Sequence, residues 1–102
     1  MNLEFDSKDL EKIYTTQISD LPRKIVKQYS RKIIRDFITF CNVVELYDFS
    51  YLSNIKGYNV EKLKGDRKGQ WSARLNKQFR VIFTYDETTD TLTIIEISKH
   101  YE

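Results

Sequence analysis

The feature that most limits how this chain can fold is a pair of alternating runs, Trp71–Asn76 and Phe79–Tyr85, with a short polar break between them. Trp71, Ala73 and Leu75 alternate with Ser72, Arg74 and Asn76, and Phe79, Val81, Phe83 and Tyr85 alternate with Arg80, Ile82 and Thr84. Period-two alternation marks strands, and two such runs this close in sequence mark a hairpin. If residues 76–78 form the loop, Leu75 faces Phe79, Ala73 faces Val81 and Trp71 faces Phe83. A two-residue loop would set Ala73 against Arg80 instead. A one-residue slip turns a whole apolar set to the wrong face, so the first register is expected. In that register Arg74 lies opposite Arg80 on the polar face. Directly opposed like charges are unfavourable. Their presence implies either an anion between them or long side chains splayed into solvent.

The rest of the chain supplies what such a hairpin packs on. Residues 2–6 alternate, with Leu3 and Phe5 on one side, and predict a short first strand. Ser7 heads a helix start carrying Leu10, Ile13 and Tyr14, and Ser19 or Asp20 is placed to cap a second helix with Pro22 in its first turn. From Leu21 to about Tyr47 apolar residues recur in steps of three and four, which predicts one long amphipathic helix. Its polar side carries Arg23, Lys24, Lys27, Arg31, Lys32 and Arg35, which read as a solvated face. Asp48 to Asn59 is a connector pinned by Phe49, Tyr51, Leu52 and Ile55; the sheet region begins over Tyr58–Lys64 and ends with a β-branched strand over Thr91–Ser98. Helices followed by strands argue an α+β fold: a short N-terminal strand and helices, one of them long, packed on a small, mainly antiparallel curved sheet. With 102 residues this is one domain, 1–102, and 40% hydrophobic residues suffice for a compact core.

Charge is distributed unevenly although the net value is only +2. Acids dominate residues 1–22 and the segment from Asp86 onward, while residues 23–35 and 56–80 are basic. Two basic blocks between acidic ends point to a local anionic partner. Cys41 is the only cysteine, so an internal disulfide is excluded and a thiolate zinc site is not expected; it reads as a small apolar filler. The N-terminal residues lack the apolar run of a signal peptide, and no apolar run approaches the ~20 residues of a membrane span. A cytoplasmic protein without membrane contact is expected.

The loop Leu63–Gln70, LKGDRKGQ, places Gly65 and Gly69 beside Lys64, Arg67 and Lys68. It is not a nucleotide-binding P-loop, because the Lys-Ser/Thr ending and the following helix are missing. The chain's single histidine, His100, precedes Tyr101 at the end of the last strand. Its ordinary titration near neutral pH makes it a candidate proton carrier if the sheet brings it to the basic groove. Trp71 could stack on a base, but its place with Ala73 and Leu75 assigns it to the core.

The run Leu63–Arg67, then Gly69-x-Trp71-Ser72, then Phe79-Arg80, with the ending IEISKHYE, resembles the HigB-type toxins of the RelE/ParE superfamily. That resemblance implies a toxin of a type II toxin–antitoxin system: an endoribonuclease that cuts messenger RNA, commonly in the ribosomal A site. It also implies a silencing partner, a HigA-like helix-turn-helix antitoxin. Lys64 and Arg80 match the family's basic catalytic positions, and His100 and Tyr101 match its terminal pair with the order exchanged. Glu61 stands where some relatives carry histidine and is a possible general base. Lys62, Arg67, Lys68, Arg74 and Lys99 complete the basic surface that would grip RNA. No cluster of His, Cys or carboxylates suggests a metal, and no cofactor is expected. Two other readings share the superfamily or the charge pattern: a ParE-type toxin that inhibits DNA gyrase without catalysis, and an RNA-binding regulatory domain. The basic side of the long helix and the apolar connector around Tyr51 are the surfaces open to an antitoxin.

Overall fold

The computed structural model describes residues 1–99, so His100 and Tyr101 lie outside the described residues. Strand β1 (Asn2–Phe5) leads to helix α1 (Lys8–Thr15), a short turn at Ile18–Asp20 and the long helix α2 (Arg23–Leu46). A one-turn helix α3 (Phe49–Ser53) follows, then β2 (Glu61–Lys62), β3 (Trp71–Arg74), β4 (Phe79–Asp86) and β5 (Thr91–Lys99). The strands form one sheet in the order β1-β5-β4-β3-β2. β1 runs parallel to β5, and the remaining neighbours are antiparallel. The α+β architecture expected from the sequence is therefore the observed one.

The hairpin register is the one the apolar pattern selects: Trp71 pairs with Phe83, Ala73 with Val81 and Arg74 with Arg80. Asn76 closes the loop by accepting from the amides of Gln78 (2.8 Å) and Phe79 (2.7 Å) through its side-chain oxygen. Asparagine is suited to this because its side chain substitutes for a turn carbonyl. Ala73, Val81, Phe83, Leu92 and Ile94 turn to one side and join Leu10, Ile13, Phe37, Phe40, Cys41 and Val44 in a single buried cluster. Phe37 and Phe40 have no exposed surface. At roughly 1.5–3 kcal/mol for burying such a side chain, they anchor the second half of α2 to the sheet. Burial also pushes the Cys41 thiol above its ordinary range, so it behaves as the apolar filler the sequence suggested.

The structure corrects three expectations. The long helix is broken: Ser30 has φ 68° and ψ 156°, outside any helical region. The apolar spacing of Ile25, Tyr29, Ile33 and Phe37 continues across it in steps of four, so nothing in the pattern marks the break. Ser30 instead starts the second segment as a cap, its hydroxyl accepting from the amide of Ile33 at 3.4 Å. Neither Ser19 nor Asp20 caps α2; Pro22 holds the cap position without a side-chain bond, and Ile18–Asp20 forms its own turn. The connector contains helix α3, capped by Asp48, which accepts from the Tyr51 amide at 2.8 Å. Among the described residues no helix is long and apolar enough to cross a membrane.

Candidate active site

Alternation along β3 and β4 sends Ser72, Arg74 and Arg80 to the face opposite the helices. Glu61 joins them from β2, where it pairs with Ser72. These residues and Asn59 line a pocket of about 150 Å³ whose exposed lining is almost wholly polar. Ser72 is 3% exposed, the buried polar residue of the sheet, and accepts a loose hydrogen bond (3.5 Å) from the Arg80 guanidinium. Asn59 adopts a left-handed conformation at φ 43°, which its short polar side chain tolerates, and its amide donates to Glu61 Oε1 at 3.1 Å. The pocket thus presents two guanidinium groups and one carboxylate, each guanidinium a planar fork matched to phosphate oxygens. Among the described residues no group of three His, Cys, Asp or Glu side chains is placed to hold a metal ion.

The sequence candidates divide between several places. Arg74, Arg80 and Glu61 are brought together. Lys64 is exposed at the start of the Gly65–Arg67 turn and does not line the pocket. That turn uses Gly65 at φ +65° and Gly69 at φ +93°, conformations closed to most side chains. Arg67 is ion-paired with Glu96 on β5 and donates to Gln70 at 2.9 Å, so it ties the loop to the sheet. Lys68 is exposed on the same loop. Lys62 and Lys99 turn to the opposite face, where their ammonium groups lie over the rings of Trp71 (5.5 Å) and Phe79 (5.9 Å). His100 and Tyr101 lie beyond the described residues; Ser98 pairs with Arg80 and Lys99 with Phe79. Asn59 and Ser72 were absent from the sequence candidates. Ser72 stands in the Gly-x-Trp-Ser run, at a polar position of an alternating strand directly between Glu61 and the arginine pair. That position was the available signal.

On the helix side, Trp71 is half-buried rather than enclosed. Phe49 meets it edge-on at 5.1 Å and stacks on Tyr85 at 4.3 Å. A hydrogen bond to Asp90 holds the Tyr85 phenol, pushing its titration up to about 12. This aromatic group packs α3 against β3 and β4 and borders a mixed cleft with Lys62 and Glu87.

Several solved structures share the fold. YafQ from E. coli superposes with a TM-score of 0.66 at 11% identity, covering 97% of this chain and 92% of that one. The YoeB/ParE toxin from Agrobacterium tumefaciens gives 0.63 at 17% identity over 99% and 100% of the two chains. A chain of the RelE–RelB complex from Pyrococcus horikoshii gives 0.58 at 18% identity over 96% and 92%. At such identities the likeness concerns the fold. None of the curated proteins matches the chain. The family model described as "RelE-like toxin of type II toxin-antitoxin system HigB" matches residues 3–97, nearly the whole sequence. This chain belongs to the HigB family of RelE-like toxins of type II toxin–antitoxin systems.

Proposed function

We propose that this toxin is an endoribonuclease that cuts messenger RNA, with the ribosomal A site as its working location. The observation that carries the reading is the pairing of Arg74 with Arg80 in a pocket that also receives Glu61. Two planar guanidinium forks set side by side next to a carboxylate match what a scissile phosphate and the hydroxyl that attacks it require. Arg80 holds two phosphate oxygens, Arg74 faces it across the same group, and Ser72 steadies the Arg80 guanidinium from below.

The chemistry follows from what phosphodiester cleavage requires. Glu61 accepts the proton of the ribose 2′-hydroxyl, and the freed oxygen forms a bond to phosphorus. The arginines stabilise the charge that gathers on the non-bridging oxygens. The bond from phosphorus to the 5′-oxygen breaks, and His100 gives that oxygen a proton. The products are a 2′,3′-cyclic phosphate and a 5′-hydroxyl end. Tyr101 stacks on a neighbouring base, as aromatic side chains commonly do with single-stranded RNA. Lys64 and Lys68 add a positive approach along the loop. General acid–base groups of this kind are typically worth ~10²–10⁴-fold each.

A silencing partner belongs to the same reading. Similar structures include the YoeB–YefM complex from Staphylococcus aureus and the RelE–RelB complex from Pyrococcus horikoshii. By that likeness this toxin is held by its own antitoxin; the resemblance to HigB toxins makes that antitoxin a HigA-like helix-turn-helix protein.

The test is expression of the wild type and of Arg80→Ala and His100→Ala, with growth, mRNA integrity and plasmid supercoiling followed together. The expected result is arrest with mRNA cut within codons for the wild type, and loss of both for each folded variant. Arrest with intact mRNA and lost supercoiling would identify a gyrase-directed toxin instead.

A further inference from the structure

A second cleft lies away from the arginine pocket and shares no residue with it. It has a volume of about 320 Å³ and sits between the Ile18–Asp20 turn and the first part of α2. Ile18, Leu21 and Val26 give it an aliphatic lining, and Arg23, Lys27 and Arg31 stand around it. Among the described residues the ion pairs are Lys32–Asp36 and Arg67–Glu96, so none of these three cations has an ion-pair partner among those residues. Arg23, Lys27 and Arg31 recur every fourth residue with no acid from residue 23 to residue 35. Arg23 and Lys27 repel along the helix at that spacing, and Arg31 brings a third cation from beyond the break at Ser30.

The break in α2 coincides with this cleft. Ser30, held at φ 68° and ψ 156°, immediately precedes Arg31. A non-glycine residue in that region is strained, and strained positions cluster where a structure is built to meet a ligand. The cleft therefore combines three independent features at one place: uncompensated positive charge, an aliphatic lining and a strained residue at its border.

The lining decides between the two anionic partners available to a toxin. Single-stranded nucleic acid is held by aromatic stacking surfaces inside basic grooves. Here the lining is aliphatic and no aromatic ring contributes to it. Branched aliphatic surface ringed by cations fits a peptide segment that alternates acidic with Leu, Ile or Val side chains. We propose that this cleft is the docking site for an acidic, aliphatic segment of the toxin's antitoxin. The proposal rests on the reading above that such a partner exists.

The experiment uses the full toxin and the antitoxin encoded beside it, with binding measured by calorimetry and RNA cleavage measured in parallel. Wild-type toxin is compared with R23E/K27E/R31E, with the neutral R23Q/K27Q/R31Q, and with K8E/K12E, which reverses exposed charges on α1. Glutamine favours helix, so the neutral variant keeps α2 folded if the reversed one does not. The expected result is a loss of affinity of about 100-fold for the reversed triple and about tenfold for the neutral one. K8E/K12E is expected to change affinity less than threefold or so, and all three variants are expected to cleave RNA as the wild type does. Wild-type affinity in both triples overturns the docking site while leaving the antitoxin partner intact. An equal loss in K8E/K12E overturns it in favour of net charge. Loss of RNA cleavage with antitoxin binding retained overturns it in favour of a nucleic-acid surface. Wild-type toxin that binds no antitoxin overturns the partner reading and the docking site together.

Discussion

Arg67 and Arg80 belong to the same basic stretch and enter the same sheet, yet the fold treats them oppositely. Arg67 is closed by Glu96 and Gln70, which fasten the loop before β3 to the last strand. Arg80 is set in register against Arg74, a second cation, beside a buried serine. The first arrangement satisfies its charge inside the protein and stiffens the backbone. The second holds two like charges side by side at a polar pocket that also receives Glu61. A basic stretch is therefore not one surface but two, one tied into the fold and one that the proposed function assigns to a ligand.

The strongest way to break that distinction is Arg80→Ala. If the pocket holds the scissile phosphate as proposed, removing this preorganised charge is expected to lower single-turnover RNA cleavage by about 10²–10³-fold. Stability should change little, because relief of the like-charge pair offsets the loss of the bonds Arg80 makes, the loose one to Ser72 among them. A clear fall in melting temperature with cleavage retained would mean that Arg80 is structural and that the two arginines do not differ in kind.

Arg74→Glu sharpens the same point through opposite signs in two measurements. It turns the Arg74–Arg80 pair into an oppositely charged cross-strand pair, worth roughly 0.2–1 kcal/mol of added stability. The same change puts a carboxylate where a phosphate would sit, so cleavage should fall by at least about tenfold. A variant that is both more stable and less active shows that the native pair is kept for its ligand. Raised stability with full cleavage would remove Arg74 from the site.

How much of this was legible in the sequence varies with the kind of signal. The β3–β4 register followed from alternation because one wrong step would expose Trp71, Ala73 and Leu75, and Arg74 facing Arg80 came with it. Glu61 was legible only as a family position; its place in the pocket depends on β2, two residues long, pairing with Ser72. The roles of Arg67 and Lys62 were not legible, since Glu96 is distant in sequence and a lysine over a tryptophan leaves no periodic trace. The break at Ser30 was hidden for a different reason: serine is tolerated inside helices, and the apolar steps continue through it unbroken. Local pattern fixes faces and registers, whereas long-range side-chain partners and isolated strained residues are decided by packing.

The smallest expected effect tests the structural side of the comparison. Arg67→Met keeps a long unbranched side chain while removing the charge. Both Arg67 and Glu96 side chains remain 43% exposed, so solvent screening holds the contribution of the pair to about 0–1 kcal/mol. For a domain of this size the upper end corresponds to a fall of roughly 4–8 °C in melting temperature. Cleavage at a temperature where the variant is folded should stay within about threefold of wild type, because the pocket of Arg74, Arg80 and Glu61 does not include Arg67. Combining Arg67→Met with Arg80→Ala should then give a stability loss set by the first change and an activity loss set by the second, without coupling. A double variant whose cleavage falls well beyond that of Arg80→Ala alone would place Arg67 on the RNA and merge the two halves of the basic stretch into one.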